Sequence, residues 1–456
     1  MTKWRTLILG GLLVCTGAFA QEKQITFSPF SHDLDNNDNF SPDGKWLCYD
    51  TRETVGGGIE NSQSVNMVNI ETGKEIILWK APESIIGPKG SEPGPAPGIG
   101  AVSFNHAKAE VVFIHGPMLE DVPARGPYDF PNRTGGRVDI TKHGVRHWVD
   151  MRDIATDRDT TRGAHRGGTH RHEYSYNGNR IGFTYNDFLQ KEYDRTVGYM
   201  EPHPDTPEGY SHYFAIMVPV VPIGTSKPGE LEKAWGDSWV GRDGRMRAFI
   251  GRVRNADGET YEQSLFVADV PVGVDITTAD AGSATRFPTP PKGITVRRLT
   301  TTWAGPIARG SLDGKYIAFY GKDANEKMQV FIIPSDGSSE AVQATSFPEG
   351  ADLGVRWHPS GNSVVCLSNN RVAAVCVKKG SPLFGKHVFL TDQDGPARIK
   401  PVLSWDGKNL AYNKQVPTTI ADGSIVKNYA GADYMQIFIL PIPDENGDGI
   451  ADGIGQ

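Results

Sequence analysis

The sequence predicts an all-β protein, a seven-bladed β-propeller of four-stranded antiparallel blades with long loop insertions in its N-terminal half. Three observations carry this. A short motif recurs seven times: an aromatic or apolar residue, a polar pair, Asp-Gly or a relative of it, then an alternating apolar stretch. Each Asp-Gly-type pair calls for positive φ and so marks a hairpin turn between two strands. A further apolar strand follows the hairpin in at least five copies, and four strands per repeat, seven times over, close into a ring.

The first twenty residues stand outside this pattern. Lys3 and Arg5 precede an apolar run from Leu7 to Cys15, and Ala18-Phe19-Ala20 reads as an A-x-A cleavage site. The run is too short for a membrane span, which needs about 20 apolar residues. The expectation is a signal peptide over 1–20, cleaved after Ala20, and a periplasmic or secreted mature chain. A lipid anchor on Cys15 is the alternative, with Val14 standing where a small residue is wanted.

Residues 21–443 are assigned to the propeller and 444–456 to an acidic tail. The net charge of −7 becomes −9 when Lys3 and Arg5 are removed, which argues against nucleic acid as a partner. No later apolar run is long enough to cross a membrane. Three of the four cysteines remain after cleavage, Cys48, Cys366 and Cys376, so they cannot all be paired. Across a hairpin turning at Asn369-Asn370, Cys366 faces Ala373 and Cys376 faces Ser363, which predicts free thiols.

The motif copies are Phe40–Tyr49, Tyr174–Thr184, Gly310–Tyr320, Trp357–Cys366 and Leu403–Tyr412, with degraded copies at Phe104–Phe113 and Gly241–Ile250. Third strands are expected at Val65–Ile70, Ser264–Asp269, Gln329–Ile333, Arg371–Val375 and Gln436–Leu440, and a fourth at Glu75–Trp79. The last copies follow one another at about 47 residues and the first at about 64 to 70, so insertions gather in the N-terminal blades.

The run Phe40-Ser41-Pro42-Asp43-Gly44-Lys45-Trp46, followed by an alternating strand, resembles the repeat of TolB-like propellers, which also builds the oligogalacturonate lyases. The resemblance spans the mature chain through its repeats. It implies a seven-bladed ring whose innermost strands line a central channel. In the lyase branch, histidines just before the motif hold a divalent metal facing an anionic sugar. His170 and His172, just before Tyr174, match that placement, and only this copy supplies such a pair.

Strand period two places His170 and His172 on one face and Arg171 and Glu173 on the other. The matching positions of other inner strands collect Asn37, Asn39, Asp237, Trp239, Arg309, Arg356 and Lys400. Arginine pairs bidentately with carboxylate and an indole stacks on a sugar face, so the ring suits a sugar acid. Imidazoles at i and i+2 can chelate one ion, and hydrogen bonding between loop and channel is the alternative.

The segment 116–166 reads as a lid able to carry His143, His147 or Arg166 over the channel. In the tail, Asp444, Asn446, Asp448 and Asp452 are spaced like the oxygen ligands of a calcium loop, the alternative being a solvated acidic terminus. No nucleophile elbow, zinc-protease helix, P-loop or dinucleotide fingerprint is present. The reading is an exported carbohydrate-active propeller, a lyase cleaving uronate oligosaccharides by β-elimination. His172 would be the base, His170 a metal or orienting group, and Arg309 and Arg356 the carboxylate clamps. Arg171, Asp237, Trp239 and Lys400 would bind substrate. The cofactors expected are Ca2+ at the tail and Mn2+ or Ca2+ in the channel, with no organic cofactor. The alternative is a non-catalytic propeller binding a glycan or a protein partner.

Overall fold

The computed structural model describes residues 21–55, 57–82 and 97–455, so the expected signal peptide lies outside the described residues. Seven sheets follow one another in chain order as the blades of a propeller, six of them four-stranded. Among the described residues the first blade has three strands, Trp46–Asp50, Ser64–Asn69 and Glu75–Lys80. Its inner position is filled by residues 33–41, which bridge only at Asp33 to Asp50 and Phe40 to Leu47.

The repeated motif is explained by its turn. Ser41 donates its hydroxyl to Asp43 at 2.6 Å and accepts the Trp46 N–H at 3.0 Å, while Gly44 takes φ 70°. The same clasp recurs at Ser311 with Asp313, at Ser404 with Asp406 and, with Asn177 in place of Asp, at Ser175. It fixes where each inner strand ends and the second begins.

The alternating stretches bury both faces because every blade packs against two neighbours. In Tyr316–Lys322, Ile317 and Phe319 join a core with Val240 and Ala248 of the fourth blade. Ala318 and Tyr320 join another with Val355 and Val364 of the sixth. Each large side chain so buried contributes about 1.5–3 kcal/mol. Cys366 does face Ala373 and Cys376 does face Ser363, and all three described thiols are buried and free.

The ring closes through a strand that carries no periodicity of its own. Lys23–Gln24 pairs with Met435–Pro441, supplying the outer strand of the last blade from the chain's other end. Glu22 reinforces the seam, bonding Tyr412, Lys414 and, at 3.0 Å, Arg398.

Two expectations about the insertions need correction. Most of 116–166 is not a lid: it holds the outer strands of the second blade, Thr134–Asp139 and Arg146–Trp148. His143 is exposed before the second of them and His147 is exposed within it, and Arg166 is buried in an ion pair with Asp187 at 2.7 Å. The tail is not simply a solvated terminus. Ile450, Ala451 and Ile454 pack into the core of the last two blades, and Gly449 O accepts the Ser363 hydroxyl. Asp444, Asn446, Asp448 and Asp452 each accept a backbone N–H within the tail, and among the described residues no three His, Cys, Asp or Glu side chains are grouped to hold a metal ion.

Candidate functional site: a cationic channel in two chambers

A bulge shapes the channel. In the inner strand Gly167–Tyr174, Glu173 pairs with Gly182 and His170 with Thr184, so Arg171 and His172 together oppose Phe183. Arg171 takes φ 56°, and Ala101, Gly236, Gly354 and Lys400 hold positive φ in the inner strands of four other blades, each beside a register shift. An extra residue reverses the alternation beyond it and re-aims the side chains.

The bulge separates the two histidines that strict alternation would put on one face. His172 is fully buried in the wall, its Nε2 3.0 Å from Thr169 Oγ1, which donates to Asp150. Burial pushes its imidazole down to about 4, with Asp150 opposing. It borders neither chamber of the channel. His170 instead borders the wider chamber together with Arg171.

That chamber, about 580 Å³, is also lined by Asp35, Arg52, Arg133, Arg195 and Asp237. Asp35 is fully engaged, accepting from Arg171 at 2.6 Å and Arg52 at 2.7 Å. Arg133 bonds only the Phe130 carbonyl and the Tyr128 hydroxyl, and Arg195 only Asn186 Oδ1 at 3.0 Å, while its guanidinium lies over the Phe130 ring. Neither pairs with a carboxylate among the described residues. Burial lowers both, Arg195 to about 10 with Arg133 adding to the effect. His170 Nδ1 lies 3.4 Å from Thr184 Oγ1. Burial, then Arg133, Arg195 and Arg171, hold this imidazole well below its ordinary value, so it is neutral.

The narrower chamber, about 110 Å³, gathers Trp239, Arg309, Arg356, Trp357 and Trp405, and shares Asn37 and Glu173 with the first. Arg309 and Arg356 donate to the carbonyls of Ala308 and Val355, and the Nε of each is buried with no partner among the described residues. Burial lowers Arg309 to about 10 against the pull of Glu173. Burial and then Arg309 lower Arg356 to about 9. Glu173 and Asp237 are both tied to the buried Arg247, and burial raises Glu173 against that cation. Lys400 is paired with Asp33 and borders neither chamber.

Of the residues expected in the site, His170, Arg171 and Asp237 therefore meet in one chamber and Trp239, Arg309 and Arg356 in the other. Arg133 and Arg195 were not legible. They come from the second blade's insertion and from the turn before the strand Thr196–Glu201, away from the repeat motif.

Over 423 residues the chain is 31% identical to the uncharacterized protein YidR of Escherichia coli (strain K12), covering 86% of this chain and 94% of that one. The chain belongs to the YidR family. Residues 98–214 match the family model described as a protein of unknown function, DUF3748. Among solved structures, an oligogalacturonate lyase in complex with manganese aligns with 94% of this chain and 95% of its own at TM-score 0.51 and 11% identity. TolB from Acinetobacter baumannii aligns with 87% of this chain and 64% of its own at TM-score 0.35 and 12% identity. The YidR family thus shares the propeller architecture with the lyase. The described residues include no helix long and apolar enough to cross a membrane.

Proposed function

We propose that the protein is an exported propeller that binds an acidic oligosaccharide in its channel and cleaves it by β-elimination, with His170 rather than His172 as the base. The observation that carries the proposal is a neutral imidazole facing a chamber with Arg133, Arg171 and Arg195, two of them without a carboxylate partner among the described residues. Such cations suit a carboxylate, whose charge would be bound bidentately in a desolvated setting. Export is supported by the pattern of the first twenty residues.

The lyase neighbour is a complex with manganese. The wide chamber does not fit a divalent cation, because four arginines line it beside its one histidine and the lining carboxylates Asp35, Glu173 and Asp237 are already held by arginines, so no step is routed through a metal. In the proposed step the guanidiniums neutralise the uronate carboxylate and acidify the adjacent C–H. His170 Nε2 takes that proton, the electron pair forms the C=C bond, and the glycosidic C–O bond breaks with the leaving oxygen protonated from solvent. The bound carboxylate offsets the arginines and so raises the imidazole towards a working base.

The test is the ultraviolet absorbance of an unsaturated product when the purified mature protein meets oligogalacturonates. His170→Asn should abolish it while leaving oligogalacturonate binding within about threefold, since the arginines remain. Binding without absorbance from the unaltered protein would leave a non-catalytic glycan-binding propeller. Absence of both would remove the acidic ligand as well.

A further inference from the structure

We propose that a third cavity, bounded by His115, Arg125, Arg133, Trp148, Asp150 and Arg152, is a binding site for a small hydroxy acid. It measures about 140 Å³, and all of its lining lies within the stretch 98–214 that matches the DUF3748 model. Arg133 also borders the wide chamber; the other five border neither channel chamber.

The chemistry of the ligand follows from what the walls leave unmet. His115 Nδ1 is 2.6 Å from the Gly116 carbonyl oxygen. A carbonyl only accepts, so Nδ1 carries the proton and Nε2 carries a lone pair. Burial pushes this imidazole down to about 4, keeping it neutral. Nε2 is buried and has no partner among the described residues, so it asks for a donor.

Arg152 asks for the opposite. Its Nε donates to the Gly167 carbonyl at 3.0 Å and its Nη2 to Pro131 at 3.3 Å, while Nη1 is buried with no partner among the described residues. His115 is fully buried and Arg152 is only 8% exposed, so each orphan nitrogen is costly unless a ligand or solvent meets it. Beyond Arg152 and Arg133, Arg125 adds a further cation at the rim, its side chain 41% exposed and only loosely paired at 3.8 Å with Asp121, which also lines the cavity. Asp150 does not cancel them freely: it already accepts from Gly135 N and Thr169 and lies 3.0 Å from His165 Nε2. Trp148 meets the His115 ring edge-on at a centroid distance of 5.0 Å and closes one apolar wall.

A carboxylate would satisfy the arginines and leave His115 Nε2 unmet. A neutral polyol would do the reverse. A hydroxyl beside a carboxylate meets both at once, and that pairing discriminates the proposed ligand from a plain anion.

The experiment is calorimetric titration of the full-length mature protein with D-glycerate, propionate and glycerol. Glycerate should bind saturably and at least about tenfold more tightly than either comparator, since each lacks one charged or buried hydrogen bond. His115→Phe should bring glycerate to the propionate level. Because that buried substitution can disturb folding, Arg125→Ala at the rim is the second variant. It should weaken glycerate about threefold or more while leaving the melting temperature unchanged. Glycerate binding no tighter than propionate, or unaltered by Arg125→Ala in a protein of unchanged melting temperature, would overturn the assignment. Oligogalacturonate turnover reads the channel and is independent of either result.

Discussion

Replacing Arg195 by Met separates a binding arginine from a structural one. Its guanidinium forms no ion pair among the described residues, makes one side-chain hydrogen bond and lies over Phe130 at 5.1 Å. Burial and the nearby Arg133 lower it from its ordinary value to about 10. For a base, a folded value below the unfolded one means that the charged form opposes folding at every pH below about 10, which includes neutral pH. Methionine removes the charge and keeps an apolar stem on the Phe130 ring. The melting temperature should therefore stay within about 3 °C of the unaltered protein or rise. A charge-assisted hydrogen bond to a carboxylate is worth about 1.5–3 kcal/mol, so affinity for trigalacturonate should fall about ten- to hundredfold. Thermal melts and calorimetric titration on the same preparation give both numbers. A melting temperature lower by more than about 5 °C with unchanged affinity would show that Arg195 holds the fold and that the cation argument fails.

The ring seam should be acid-sensitive. Glu22 feels burial, which raises it, but Lys414, Tyr412 and Arg398 together hold it below its ordinary 4.5. Its contribution is present above that value and lost as the pH falls through the depressed one, so Glu22→Gln should flatten the acid limb of a melting-temperature profile. Truncation after Pro443 removes Ile450, Ala451 and Ile454 from the core and should lower stability by about 3–5 kcal/mol in a urea titration. Calcium should leave the melting temperature of the intact chain within about 1 °C, because the tail carboxylates are engaged by backbone N–H groups. A calcium-dependent rise of several degrees would establish the tail as a calcium loop.

The architecture was legible because its determinants are local. The Ser-x-Asp-Gly clasp is contained within six residues, from Ser41 to Trp46, and each copy announces a turn wherever it stands. Alternation in Tyr316–Lys322 reports two buried faces without naming the partners. The free thiols followed from a two-residue turn whose register has one solution. The closing strand Lys23–Gln24 was missed because two residues have no period, and only its partner strand, with Lys23 paired to Ile439 and Gln24 to Phe438, makes it a strand.

The site was half legible. Period two requires an unbroken ladder, and one residue at φ 56°, Arg171, was enough to bury His172 beside Asp150 and leave His170 in the chamber. A bulge held by long-range packing leaves no mark in composition. Arg133 and Arg195 likewise sit far apart in sequence and become a pair only when the second and third blades close on the channel. The repeat, the turns and the apolar faces were readable from the chain alone, since each depends on neighbours along it. The tertiary structure alone decided which histidine faces the channel, which arginines stand unpaired and what covers the tail, since burial and charge compensation depend on groups that only the closed ring brings together.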